Sequence, residues 1–265
     1  MLIDSHTHLE SFARRGDLAP VLARARAAGV ELLVTVGTSV DDWDLYAGLE
    51  GASPDGFVRH TAGLHPCSVD ERWADQVGRL EERWRRGPVP VALGECGLDR
   101  FHLPPEADAA ARVFALQEAA FAAQLGIARR LGCPVVVHSR GAFRECVAQG
   151  DASGVDWARV VFHCFTEGAT EMAELTRRGG RGSFTGILTY KSAAEVRAAA
   201  RAQGLARLML ETDAPYLTPV PLRGQPNEPA FLRHTAAYAA AEVFGVSLEE
   251  LGAVTSANVR RWLGL

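Results

Sequence analysis

His6 and His8 stand in the run Asp4-Ser5-His6-Thr7-His8. On a strand, residues two apart lie on one face, so the two imidazoles point together and Asp4 shares their face. Such a pair at a strand mouth can chelate a divalent ion. It is equally at home on a polar surface strand. Further along, Glu95, His138, His163 and Asp213 each close an apolar run. One histidine after a strand is ordinarily a hydrogen-bonded core or rim residue. Six donors in the same relation to their strands ask for a common explanation.

The elements that must position them are short apolar strands alternating with amphipathic helices. The strand-like runs are Leu2–His6, Glu31–Gly37, Val58–Leu64, Pro90–Glu95, Pro134–His138, Arg159–His163, Gly182–Ile187 and Leu208–Asp213. Helix-like stretches include Leu18–Ala28, Ala111–Leu131, Thr170–Arg178 and Ala193–Gln203. In the second of these, Phe114, Ala115, Leu116, Phe121, Leu125 and Ala128 form the expected apolar stripe. Glycines at 29, 87, 132, 180 and 204 stand between a helix and the next strand, where a left-handed helix end is expected. Eight such units in about 250 residues predict an α/β chain folded as one (β/α)₈ TIM barrel over residues 1–265. A doubly wound open sheet is the alternative, but no Gly-rich phosphate loop follows the first strand.

Composition bounds the rest. The chain of 265 residues is large enough for a full core, and no run reaches the about 18 apolar residues of a membrane span. The first residues carry no basic segment ahead of a long apolar stretch, so cytoplasmic residence is expected. The five cysteines form no C-x-x-C pair, which argues against structural disulfides and thiolate zinc. Cys96 and Cys164 read as small packing residues pointing away from their acidic and imidazole neighbours. A formal net charge of −4 excludes a broad basic surface for duplex DNA. Lys191 is the sole lysine, so phosphate contacts must come from arginine forks, backbone amides and helix N-termini.

In a barrel of this kind, catalytic groups gather at the C-terminal ends of the strands. Four imidazoles and two carboxylates exceed what one tetrahedral ion with an open position needs. They suit two ions about 3.5–4 Å apart sharing a ligand. Glu95, on the strand between the two histidine groups, is the best shared ligand. Lys191, in the loop after the seventh strand, is poorly placed for a carbamylated bridge.

Seven motifs now point to one family. They are DSHTH at Asp4–His8, GLHP at Gly63–Pro66, GECGLD at Gly94–Asp99, VVVHSR at Val135–Arg140, FHCFT at Phe162–Thr166, ETDAPYL at Glu211–Leu217 and RGQPNEP at Arg223–Pro229. In that order, and nearly end to end, the chain resembles the TatD family of metal-dependent deoxyribonucleases, among the amidohydrolase-like barrels. The resemblance implies that His6, His8, Glu95 and Asp213 hold one metal, and Glu95, His138 and His163 the other. It departs from the family at Gln225-Pro226, where a basic residue is common, and this bears on how tightly the loop holds phosphate.

Around the ligands, Asp213, Glu95 and His65 are the candidate catalytic residues. His65, Arg140, Arg223 and Asn227 are the candidates for holding substrate. His65 also reads as the cap of a turn before Pro66, and Arg140 as half of a salt bridge. Asp99 and Glu211 are expected to orient ligands from behind, and Asp4 to buttress rather than ligate. The expectation is a nuclease that cleaves DNA phosphodiesters, as an exonuclease preferring single-stranded ends, with two divalent ions such as magnesium, manganese or zinc. Nucleic acid is its expected partner, with no membrane and no obligate protein partner. Hydrolysis of a small amide or ester, including an aminoacyl ester on tRNA, is the alternative. A binding protein that kept its metals but lost turnover is a third reading, and the full donor set argues against it.

Overall fold

A computed structural model describes all 265 residues. Eight parallel strands run β1 (Leu2–Thr7), β2 (Val30–Thr35), β3 (Val58–Ala62), β4 (Ala92–Asp99), β5 (Val135–Arg140), β6 (Val160–Phe162), β7 (Arg181–Phe184) and β8 (Met209–Leu210). Each pairs with the next in sequence order, giving one (β/α)₈ barrel. The helices between them are α1 (Glu10–Arg15), α2 (Leu18–Ala27), α3 (Trp43–Gly51), α4 (Trp73–Gly78), α5 (Leu80–Trp84), α6 (Ala107–Leu131), α7 (Phe143–Ser153), α8 (Ala169–Arg178) and α9 (Ala194–Gln203). Two more, α10 (Leu232–Tyr238) and α11 (Leu248–Leu263), follow the last strand. None is long and apolar enough to cross a membrane.

The main core lies between sheet and helices, where Leu33, Leu93, Phe121, Phe162 and Phe184 are fully buried. A second cluster joins Ile3, Val34, Val136, Val161 and Met209 to Val259 and Trp262 of α11. The Trp262 indole donates to the Arg159 carbonyl just before β6 (2.8 Å), so α11 packs at the end of the barrel opposite the mouth. Truncating a buried ring of this size costs about 3–5 kcal/mol.

Between β8 and β1 the barrel is closed by bonds other than a regular ladder. The Asp213 amide donates to the His6 carbonyl (3.0 Å) and the His8 amide to Ala214 (2.9 Å). Below them, Asp4 accepts from the Thr212 amide (2.9 Å) and hydroxyl (2.5 Å). The Ser5 hydroxyl donates to the Leu210 carbonyl (3.1 Å).

Three expectations are corrected. Strand β4 does not end at Glu95 but continues to Asp99, and its register against β5 shifts between Leu93 and Cys96. A bulge there re-aims a side chain, and it turns Glu95 into the barrel mouth. The buried face of α6 is Phe114, Gln117, Phe121, Gln124, Leu125 and Ala128, while Ala115 is exposed. The two glutamines are buried because they complete backbone groups. Gln117 accepts from the Asp99 amide (3.0 Å), and Gln124 bonds both the amide (2.8 Å) and carbonyl (3.0 Å) of Leu64. They therefore pin the ends of β4 and β3, from which Asp99 and His65 project. After α8 the left-handed residue is Gly179 (φ 101°) rather than Gly180, and Gly87 is not left-handed.

Candidate metal centre

The mouth is a mostly polar cleft of about 750 Å³ at the C-terminal ends of the strands. The structure brings His6, His8, Glu95, His138, His163 and Asp213 together there. His6 lies within β1 and is fully buried, and His8 follows its end. His138 lies within β5. His163 and Asp213 fall just past the ends of β6 and β8 instead of inside those strands. The chain at Cys164 (φ 43°) and Asp213 (φ 53°) adopts the left-handed region. Non-glycine residues pay for that conformation, which clusters at functional sites. Cys164 lines the cleft, so it does not point away into packing as its strand position implied.

Glu95 stands between two groups of imidazoles. Its Oε2 lies 3.3 Å from His6 Nε2 and 3.9 Å from His8 Nε2. Its Oε1 lies 2.7 Å from His163 Nε2, 2.9 Å from His138 Nδ1 and 3.3 Å from His65 Nε2. Asp213 Oδ1 joins the first group, 3.4 Å from His8 Nε2 and 3.7 Å from His6 Nε2. Glycine makes the approach of β4 to β5 possible, because a Cβ on Gly97 would meet the His138 carbonyl at 2.0 Å.

The electrostatics follow from burial and these contacts. Burial alone would raise Glu95, but the surrounding His163, His65 and His6 hold it well below the usual carboxylate range. Burial opposes ionisation of Asp213 too, and its contacts with His8 and His6 lower it. Burial lowers His6 and His65. It also pulls on His8 and His138, but Asp213 in one case and Asp99 with Glu95 in the other raise them. The carboxylates are thus held ionised among imidazoles.

The donor set fits divalent metal. His6 Nε2 and His8 Nε2 stand 3.2 Å apart, as do His138 Nδ1 and His163 Nε2. Metal–nitrogen bonds of about 2.0–2.1 Å put tetrahedral ligands about 3.3 Å apart, close to both spacings. Three mixed His and carboxylate groups, all within 4.8 Å, share the mouth: His6-Glu95-His163, His6-His8-Asp213 and His65-Glu95-His138.

Behind the ligands, His138 turns Nε2 to Asp99 Oδ2 (3.0 Å), leaving Nδ1 for the centre. Asp99 also meets His102 Nδ1 (2.8 Å) and accepts from the amides of Phe101 (2.7 Å) and His102 (2.9 Å). Glu211 lies 3.5 Å from His163 Nδ1, an ion-pair distance without a hydrogen bond, and accepts from the Cys164 amide (2.6 Å). Ser183 donates to its other oxygen. Asp4 reaches Thr212 and the His6 amide and no ring nitrogen.

His65 caps the turn before the cleft and also faces the centre. Its Nδ1 accepts from the Cys67 amide (3.1 Å), capping the turn, while Nε2 faces Glu95. Arg140 makes no salt bridge; its guanidinium lies over the Phe101 ring at 3.8 Å. Arg223 lies over Tyr190 at 4.0 Å, again without a carboxylate partner. Asn227 differs from its expected role. It is buried, its Nδ2 donates to the carbonyls of Thr212 (2.9 Å) and Tyr216 (2.6 Å), and its Oδ1 accepts from the Glu228 amide (3.0 Å). With its amide spent on the loop, it fastens the chain and has nothing left for phosphate. Lys191 is exposed, two residues past the short turn Gly186–Thr189.

Comparison with known proteins agrees with the geometry. The model of the TatD related DNase family matches residues 3–264. A protein of Escherichia coli K12, the uncharacterized metal-dependent hydrolase YcfH, is 36% identical over 264 residues, covering 98% of this chain and 94% of its own. The 3'-5' ssDNA/RNA exonuclease TatD of Klebsiella pneumoniae is 35% identical over 272 residues, covering 100% and 98%. Among solved structures, the TatD homologue YJJV of Escherichia coli K12 superposes with a TM-score of 0.89 at 26% identity, covering 100% of this chain and 98% of that one.

Proposed function

The chain belongs to the family of TatD related DNases and is a metal-dependent hydrolase, and from that premise we propose that it cleaves phosphodiester bonds at single-stranded nucleic acid ends, DNA foremost. The observation that carries this reading is the division of Glu95, one oxygen toward His6 and the other toward His138 and His163. A carboxylate so divided suits two divalent ions, with His6, His8 and Asp213 completing one ligand set and His138 and His163 the other. Bound there, such ions supply the Lewis acidity that activates water and offsets charge on the phosphoryl and leaving oxygens.

The chain's own groups supply the remainder. Asp213 Oδ1, held ionised beside His8, accepts the proton of the attacking water. His65 Nε2, facing Glu95 from the rim, donates to a phosphoryl oxygen. Asp99 keeps His138 in the orientation that presents Nδ1. Arg140 and Arg223 offer unpaired guanidinium edges to flanking phosphates. The name 3'-5' ssDNA/RNA exonuclease given to the Klebsiella pneumoniae relative supports the substrate class.

The test is digestion of end-labelled single- and double-stranded DNA, RNA and a panel of small esters and amides by metal-reconstituted protein, with and without chelator. Shortening of single strands from one end, abolished by chelator and restored by metal, is expected. Turnover of an ester or amide with every nucleic acid intact would transfer the function to small-molecule hydrolysis.

A further inference from the structure

Among all phenylalanines, tyrosines and tryptophans of the chain, only Phe101 and Tyr216 are exposed, at 68% and 62%. Both stand at the mouth. Phe101 follows β4 and Tyr216 follows β8. Strands four steps apart in an eight-stranded barrel lie on opposite sides, so the two residues stand on opposite sides of the barrel's C-terminal end. A single exposed ring is ordinary, but these two flank one polar cleft whose rims each carry an arginine.

Both rings are also held in place. The Phe101 amide donates to Asp99, the residue that orients His138. The Tyr216 amide donates to the Asp213 carbonyl (2.9 Å), and its own carbonyl accepts from buried Asn227. The Tyr216 ring lies 6.4 Å from the His8 ring. Arg140 covers one face of Phe101. A guanidinium stacked on a ring keeps its in-plane N–H groups free for phosphate. On the side of Tyr216, Arg223 does the same over Tyr190. Each rim therefore carries an aromatic surface beside a cation with no carboxylate partner, around a polar cleft.

We propose that Phe101 and Tyr216 are stacking platforms for the unpaired bases on either side of the cleaved phosphate. The occupant is a single-stranded nucleic acid. The proposal rests on the phosphodiesterase reading and adds to it what selects single strands: a base must leave its duplex neighbours to reach either ring. Every base has a π-face, so such recognition tolerates any sequence. It also supplies affinity that a chain of net charge −4 cannot draw from long-range attraction.

The test compares kcat/KM of the metal-loaded enzyme on a short oligodeoxythymidylate and on the same oligomer with abasic residues at its two terminal positions. Intact bases should be preferred by roughly 5–100-fold. Phe101→Ala and Tyr216→Ala should each shrink that preference, mainly through KM, whereas Tyr216→Trp should preserve it. Equal cleavage of both oligomers by the wild type overturns the platforms and leaves the phosphodiesterase reading standing. Undiminished preference in both alanine variants does the same. Cleavage of neither oligomer overturns both.

Discussion

Asp99 Oδ2 lies 3.0 Å from Nε2 of His138, the ring nitrogen turned away from Glu95. A metal-facing histidine needs its second nitrogen held, or the ring rotates and its tautomer is lost. Asp99→Asn keeps the shape but offers an amide where the carboxylate stood. Metal affinity or turnover should fall about 10–100-fold, with circular dichroism unchanged. Wild-type affinity and rate would show that His138 is oriented by something else.

Removing the shared carboxylate should empty both halves of the centre. Elemental analysis of purified protein should find two divalent ions per chain in the wild type and less than one in Glu95→Ala. His163→Ala should keep about one, because His6, His8 and Asp213 remain together with the Glu95 oxygen that faces them. Two tightly held ions in Glu95→Ala would contradict the shared-ligand assignment.

Asp213→Asn should slow the chemical step by roughly 10²–10⁴, the usual reach of a general base. An amide oxygen still ligates weakly, so some metal should stay bound. Near-normal single-turnover rates would move the proton acceptor elsewhere, His65 being next in line by position.

A separate pH effect should come from Asp42, which is not among the donors of the metal centre. Burial raises it to about 6 from the ordinary 3.8, although Thr38 and Ser39 donate to its carboxylate. Between those two values the folded chain holds a proton that the unfolded chain releases. Stability from this group is therefore full below the unfolded pKa and is lost as pH rises through about 6, by about 2–3 kcal/mol. Urea titrations at pH 5 and pH 8 should show Asp42→Asn gaining on the wild type at the higher pH. Parallel stability at both pH values would show that Asp42 ionises as it does in the unfolded chain.

Salt should weaken nucleic acid binding only gently. Two to four phosphate contacts at about −0.7 each give a slope of roughly −1.5 to −3 in log K against log salt. Arg140→Gln and Arg223→Gln should each flatten it by about 0.7. A much steeper slope in the wild type would reveal a basic track elsewhere on the surface.

Much of this is legible in the sequence, and the exceptions have physical causes. Strand after strand ends in a polar residue, so the (β/α)₈ barrel and the meeting of His6 with Asp213 follow from alternation alone. Glu95 is harder, because the β4 bulge breaks the alternation on which its placement depends. Gln117 and Gln124 read as surface polar residues until the bare backbone of Leu64 and Asp99 is seen against them. Asn227 sits in a motif whose exposed look conceals a buried amide, since what it binds lies 11 and 15 positions away. Phe101 and Tyr216 resemble core residues by type, and only the barrel shows that both stand in the open.

The bonds that draw Asp4 to Thr212 join residues 208 positions apart. The ligands on either side of that seam leave the ribosome more than 200 residues apart. His6 and His8 emerge before the other donors of the centre, and Asp213 after all of them. A nascent chain stopped before Leu208 lacks Asp213 and β8, so it carries the other donors in a barrel that cannot close. Full-strength metal uptake is thereby a mark of closed architecture.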